Sequence, residues 1–311
     1  MRVVGVDEFG GPEMLRIFDV PERHAGPGEV RLAVRAATVN PTDTIHRSGG
    51  RAEMLRRDPP PYVPGMDVAG VIDEVGDGVS HLHVGDDAMA IVVPTASHGG
   101  YSESLVLPAR SVTRMPSGVS YAEASTLPMN GLTARYALDL LALPTGSTLA
   151  VTGAAGAFGG YMVQLGVAAG LRVIADASDA DRDLVKALGA QHVVARGDDV
   201  AQRIRDVVPD GVDGLADGSV QCGVLLGAIR DGGAMATVRG WDGPSERNIS
   251  IHPVWVREYA QELERLDDLR HLVDDHQLTL RVAQTFDAAD AAQAHRRLEA
   301  GGTRGRFVIT F

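Results

Sequence analysis

The sequence predicts an α/β fold in two parts, a β-rich segment followed by a doubly wound parallel sheet. Three observations predict it. Apolar and polar residues alternate between dense turn signals over the first 118 residues. Strand-like and helix-like stretches alternate from Thr148 to Arg239. A glycine-rich turn joins the first strand and first helix of that alternation.

In the first segment Val30, Leu32, Val34 and Ala36 alternate with Arg31, Ala33 and Arg35, the period of a half-buried strand. Val68–Ile72 and Asp87–Val93 are further strands. Ala25–Gly28, Ser48–Gly50, Asp58–Pro61 and His98–Gly100 supply the turns. From Tyr121 the composition shifts to alanine and leucine, which predicts helices over Tyr121–Leu127 and Leu132–Leu143. Strands follow at Thr148–Thr152, Arg172–Ala177, His192–Ala195, Val212–Ala216 and Ala234–Arg239. Helices separate them at Tyr161–Ala169, Asp181–Leu188, Val200–Val208 and Val220–Ile229. Such alternation implies a parallel sheet with helices on both faces. Ile249–Val254 reads as an edge strand, Arg257–His276 as a long charged helix, and Arg306–Phe311 as a strand.

Composition narrows the function. The 311 residues are 44% apolar and 23% charged, enough for two domains and incompatible with wholesale disorder. No apolar run approaches the roughly 18 residues of a spanning helix, and the start lacks the marks of a signal peptide. The single cysteine, Cys222, excludes an internal disulfide and a cysteine-built zinc site. A cytoplasmic protein is the expectation. The net charge of −12 argues against nucleic-acid binding. The single lysine, Lys186, falls in a predicted amphipathic helix, which disfavours Schiff-base chemistry. There is no G-x-S-x-G elbow, H-E-x-x-H or P-loop.

The turn runs Gly153-Ala-Ala-Gly156-Ala-Phe-Gly159-Gly160, directly after the strand ending at Thr152. Its G-x-x-G-x-x-G spacing is one residue longer than the strict dinucleotide fingerprint. A strand on one side and a helix on the other make it a diphosphate-binding turn, where backbone approaches the phosphates and the helix start supplies N–H donors. Gly153, Gly156, Ala157, Phe158 and Gly159 are the expected contacts. Which nicotinamide dinucleotide it takes stays open. Asp176, near the end of the second strand, suits a ribose 2′-hydroxyl, whereas Ser178, Arg182 and Arg196 suit a 2′-phosphate.

The chain resembles the zinc-free, quinone oxidoreductase (zeta-crystallin-like) group of the medium-chain dehydrogenase/reductase superfamily. The resemblance covers nearly the whole length. It rests on Ala36–Asp43, Pro61–Gly70, Val84-Gly-Asp86, Leu127–Ala134, the glycine turn, Leu188-Gly-Ala190 and Gly301–Val308, in that order. It implies a GroES-like catalytic domain over 1–118 and 257–311 and a Rossmann nucleotide-binding domain over 119–256, with the cofactor in the cleft between them. The implied activity is NADPH-dependent hydride transfer to a quinone or activated enone. NADH is not excluded, and a homodimer joined through Ile249–Val254 is implied.

By position, zinc-dependent relatives carry a cysteine, a histidine–glutamate pair and a second cysteine where this chain has Asn40 to Asp43, Met66-Asp67 and Met129. Thioethers and a lone carboxylate make a poor zinc site, so no metal is expected. His81 and His83 read as a solvated pair. The resemblance places Asn40 beside the nicotinamide ribose and acceptor oxygen, Asp43 as organiser of that loop, and Thr133 at the nicotinamide end. It gives Val238, Arg239 and Gly240 backbone contacts to the carboxamide.

Two departures bear on the substrate. Tyrosines usual in bacterial members are replaced by Ile45 and Arg51, leaving Tyr62, His46 or water to supply the proton. At the 2′-phosphate position a family lysine is replaced by Asp181, and a family tyrosine further on by Arg196. Arg51, Arg56 and Arg57 mark either an anionic-substrate loop or a solvated face. Two alternatives accompany the main reading: a pathway-specific enoyl reductase acting on polyketide-like intermediates, and a non-catalytic nicotinamide-binding structural or regulatory protein.

Overall fold

The structure is a computed structural model that describes all residues 1–311. In chain order the first strands are β1 (Arg2–Gly5), β2 (Arg16–Asp19) and β3 (Glu29–Val39), followed by helices α1 (Pro41–Ser48) and α2 (Ala52–Leu55). Next come β4 (Asp67–Val75), β5 (Asp87–Ile91), β6 (Ser104–Pro108), β7 (Val112–Arg114), α3 (Tyr121–Ala124) and α4 (Pro128–Leu141). The alternating region comprises β8 (Thr148–Thr152), α5 (Ala157–Ala168), β9 (Arg172–Ala177), α6 (Arg182–Ala187), β10 (His192–Ala195), α7 (Val200–Val207), β11 (Val212–Asp217), β12 (Ile229–Thr237) and β13 (Ser250–Pro253). The chain closes with α8 (Leu263–Asp274), β14 (Val282–Asp287), α9 (Ala291–Glu299) and β15 (Arg306–Thr310).

The chain divides into two compact units, Met1–Met129 with Ala260–Asp274 and Leu280–Phe311, and Asn130–Tyr259 with Asp275–Thr279. The boundary therefore falls inside the first turn of α4, later than residue 118. The reason is local: Ser125 Oγ lies 3.0 Å from Thr38 Oγ1, and the Met129 amide donates to Asp67, so this stretch is tied to β3 and β4.

In the first unit a sheet runs in the order β14-β15-β3-β4-β5-β7, with β6 also on β3. The long strand β3 alternates at its start and is buried on both faces over Ala36–Val39, where β15 lies antiparallel to it with Phe307 opposite Val39. The core beneath includes Leu32, Val34, Val68, Ile72, Leu107, Tyr101 and Phe286.

In the second unit all six strands are parallel, in the order β10-β9-β8-β11-β12-β13. This is the doubly wound order of two mononucleotide halves, and it reverses between β8 and β11. Central β8 is buried at every residue, as a strand covered on both faces must be. Helix α5 is buried from Phe158 through Gly166 and packs on β8 and β9.

Two predicted helices are corrected. Val220–Ile229 is a 3-10 run, Cys222–Ala228, and β12 begins at Ile229 rather than Ala234. Val220 and Cys222 sit at φ 60° and 52°, and the Asp217 carboxylate captures the amides of Ser219, Gln221 and Cys222, so this backbone bonds outside a helix ladder. The charged helix starts at Leu263 rather than Arg257. The carbonyls of Ala260 and Gln261 accept from Ser111 Oγ (2.6 Å) and Arg110 Nε (3.2 Å) instead of closing helical turns. No helix is long and apolar enough to cross a membrane.

Candidate functional site

In the second unit the candidate site is the turn after β8. Gly153 has φ +66°, and a Cβ there would lie 2.8 Å from the Gly218 carbonyl carbon, so both the conformation and the closeness of the β11 loop demand glycine. At Gly159 a Cβ would stand 2.3 Å from the Gly153 oxygen, which makes this glycine the one that lets α5 pack on its own turn. Gly156 differs. It caps α5 with φ −72°, which any residue adopts, and its only close neighbour for a Cβ is the Gly153 oxygen at 3.1 Å. The space over Gly156 is open, and the first amides of α5, on Ala157, Phe158 and Gly159, lie ahead of the helix ladder. That clearance fits a diphosphate.

Two carboxylates brace the turn. Asp176 accepts from the Ala154 amide at 3.1 Å, and burial raises its pKa. It is thus turned toward the glycine turn. Asp217, fully buried at the end of β11, accepts from Thr152 Oγ1 (3.1 Å), the Ser219 amide (3.1 Å) and the Cys222 amide (2.8 Å). It knits the two loops at the switch point.

Of the three residues expected around a 2′-phosphate, two are engaged elsewhere. Ser178 Oγ donates to Asp181 at 2.5 Å, and Arg182 Nη1 donates to the Val193 carbonyl at 2.8 Å. Arg196 is exposed at the end of β10, its amide bonded to the Ala177 carbonyl at 3.0 Å. Val238, Arg239 and Gly240 form the bend after β12, where the Arg239 amide faces Thr237 Oγ1 at 3.5 Å. Thr133 is buried on α4.

In the first unit the sequence Asn40-Pro-Thr-Asp43 opens α1 as a capping box: Asn40 is the N-cap, Pro41 the first helical residue, and Asp43 the third. Asp43 Oδ2 accepts the Asn40 amide at 2.8 Å, and its Oδ1 accepts the Gly65 amide at 3.0 Å. The Asn40 side chain also donates from Nδ2 to Asp67 Oδ2 at 2.6 Å. Asp67 Oδ1 takes the Met129 amide. Burial pushes Asp43 up to about 6 and Asp67 up to about 7. Asn40 has no exposed surface, so a ligand meets it only when neighbouring groups give way.

Behind Asp43 stands Tyr101, its hydroxyl 3.4 Å from Asp43 Oδ2 and 3.0 Å from His295 Nε2 on α9. Burial and the nearby Arg47 lower His295 to about 3, so it is neutral. Asp67, Tyr101, His295 and Asp217 are the site-building residues that sequence reasoning missed. Only Asp67 had a local signal, its place beside Met66 in the Pro61–Gly70 motif.

Tyr62 is corrected as a proton donor. Its ring stacks on Phe9 at 4.8 Å within the core, and its hydroxyl donates to the Asp58 carbonyl at 3.3 Å. His46 is buried, and burial with Arg51 lowers it to about 4, which leaves it neutral near pH 7. Asp43 organises the loop and is not aimed outward. Arg56 stacks over Phe9. His81 bonds the Ala109 carbonyl, and His83 lies against Asp86. No three His, Cys, Asp or Glu side chains come together as a metal-binding group.

Comparison with known proteins shows what the chain is similar to. The pattern of the Alcohol dehydrogenase GroES-like domain matches residues 26–117, and that of the Zinc-binding dehydrogenase matches residues 188–309. The chain is 29% identical to a Quinone oxidoreductase of Pseudomonas aeruginosa over 97% of both chains. It is 30% identical to a Quinone oxidoreductase of Lama guanicoe over 80% of this chain and 75% of that one. Among solved structures it is similar to an NAD-dependent alcohol dehydrogenase, with TM-score 0.88, 28% identity and all of both chains covered. It is also similar to a mycobacterial protein complexed with NADPH, with TM-score 0.86, 27% identity and all of both chains covered.

Proposed function

Because the chain belongs to the medium-chain dehydrogenase/reductase superfamily, in its quinone oxidoreductase group, we propose that it is a zinc-independent, NADPH-dependent oxidoreductase acting on quinones or activated enones. The observation that carries this reading is the turn of Gly153, Gly156 and Gly159 at the switch point of the parallel sheet, closed by packing at two glycines and open at the third.

A reduced nicotinamide supplies a hydride when bound. The residues of this chain do the rest: the first amides of α5 hold the diphosphate, and the Val238–Gly240 bend and Thr133 receive the nicotinamide end. The proton comes from water, since the Tyr62 hydroxyl bonds the Asp58 carbonyl and burial holds His46 neutral. Arg196 is the remaining contact for a 2′-phosphate, so preference for NADPH over NADH is modest. The residues do not suit zinc: both Asp67 oxygens already accept N–H groups, and Asn40, Met66 and Met129 are poor ligands. A homodimer along the outer edge of β13, which pairs only with β12, completes the reading.

The test supplies NADPH with a panel of quinones, 2-alkenals and enoyl thioesters, with and without a chelator. Oxidation of the nicotinamide by quinones or 2-alkenals, unaltered by the chelator, is the expected result. No turnover while NADPH still quenches the fluorescence of Trp241 or Trp255 overturns catalysis. Turnover of enoyl thioesters alone reassigns the acceptor to a biosynthetic intermediate.

A further inference from the structure

A cavity of about 300 Å³ lies in the first unit, and neither the glycine turn nor α1 lines it. Its walls are the stretch that follows β2, the turn that ends at His98, and the start of β6. Each wall is anchored. Val20 donates its amide to the Met1 carbonyl at 3.0 Å, and the Arg23 carbonyl accepts from Arg31 Nη1 at 3.3 Å. The amides of Thr95 and His98 donate to each other's carbonyls at 2.8 and 2.7 Å. Strand β6 is paired with β3, Leu105 opposite Leu32. The volume is that of a small-molecule site at the lower end of the usual range.

The lining divides into two chemistries. Val20, Leu105 and Val106 supply apolar surface, and Arg23, Ser97, His98 and Ser104 supply polar groups. The four polar side chains have no hydrogen bond or ion pair within the protein. A guanidinium only donates, a neutral imidazole donates once, and each hydroxyl can donate. Burial, with Arg23 adding to it, lowers His98 to about 4, and Glu29 opposes the shift. The ring is therefore neutral at pH 7, and Arg23 is the one formal charge among the lining side chains. Glu29 is already engaged, its Oε2 accepting the Gly26 amide at 3.0 Å. Donors converge beside apolar surface, so the complementary ligand carries an anionic acceptor on a hydrocarbon body. We propose that this cavity binds a small carboxylate with a short hydrocarbon chain, its head on Arg23 and His98 and its chain against Leu105 and Val106. The site goes beyond the reductase reading and does not depend on it. Occupancy ties the stretch after β2 to β6, and a ligand bound only by the folded chain stabilises it by mass action.

The experiment titrates the whole chain with hexanoate, 1-hexanol and hexylamine and follows the His98, Leu105 and Val106 resonances by NMR. Hexanoate is expected to shift all three in one saturable process that saturating NADPH leaves unchanged. The alcohol and the amine bind about tenfold more weakly or worse, because the head-group contact is charge-assisted. Arg23→Ala weakens hexanoate about tenfold and Arg23→Lys restores most of the loss. Arg23 is exposed, so both variants keep the fold. The His98 titration midpoint moves up when hexanoate is bound and stays in place with 1-hexanol. Absence of a saturable shift at these three residues overturns the proposal. Equal binding of 1-hexanol also overturns it, leaving an apolar groove without anion recognition. Tighter binding of hexylamine does so by giving the cavity to Glu29. Unchanged hexanoate binding in Arg23→Ala, or displacement of hexanoate by NADPH, overturns it as well.

Discussion

The turn after β8 and the corner before α1 solve the same problem with different parts. Each fixes a polar group against a buried carboxylate. At the turn, Asp176 holds a backbone amide, that of Ala154, and the groups offered to a ligand are backbone amides too. At the corner, Asp67 holds a side chain, that of Asn40. A site made of main chain is insensitive to side-chain ionisation and intolerant of any added Cβ. One made of side chains tolerates small changes in volume and is sensitive to which groups carry protons.

The sharpest way to break this comparison is Gly159→Val. A Cβ 2.3 Å from the Gly153 oxygen forces the turn apart, at a cost of about 3 kcal/mol in urea unfolding, with loss of measurable cofactor binding. Retention of both would show that the turn is not held by close packing. Gly156→Ala follows. With φ −72° and one neighbour at 3.1 Å, alanine fits the fold and changes stability by less than about 1 kcal/mol. It projects into the open space, so cofactor Kd rises about tenfold, a loss of roughly 1.4 kcal/mol. Unchanged Kd would mean that the diphosphate lies elsewhere.

A smaller effect separates the two cofactors. Arg196→Ala is expected to weaken NADPH binding about fivefold, on the order of 1 kcal/mol for a solvent-exposed charge contact, and to leave NADH untouched. Asp181→Asn, which removes a carboxylate beside Ser178, is expected to strengthen NADPH relative to NADH. Paired titrations check both, and equal changes for the two cofactors would remove these residues from the 2′ position.

The last effect is on stability against pH, and it is read at the corner. Asp67 is pushed up to about 7 in the folded state, above an unfolded value of about 3.9. The folded state therefore binds the proton more tightly, and this stabilisation, full below about pH 4, is lost as pH rises through about 7. Relative to wild type, Asp67→Asn gains stability between about pH 4.5 and about pH 8 in urea unfolding. A constant difference over that range would show that Asp67 is not strained by burial.

The same contrast explains what was legible beforehand. The ends of β8, β9 and β10 and the place of the glycine turn could be read locally, because short buried strands punctuated by glycine leave few alternatives. The Cys222–Ala228 run was misread because its apolar composition suits a helix, while the deciding groups, the Asp217 carboxylate and two residues at positive φ, act through geometry. Tyr62 looked available because a phenol near a candidate loop is indistinguishable in sequence from one stacked on Phe9. Asp67 and Asn40 lie 27 residues apart, Asp67 and Met129 62, and Tyr101 and His295 194, and no local spacing signals such pairs.

Local sequence determined most of the strand–helix order, the place of the glycine turn and the family. Each is written in residues a few positions apart, where backbone sterics and helix capping act. The tertiary structure alone decided that Asp176 braces the turn, that Asp67 holds Asn40, and that Arg196 rather than Ser178 or Arg182 is left facing outward. Burial and hydrogen-bond partners across the fold settle those questions, because a polar group removed from water must find a partner wherever the chain brings one.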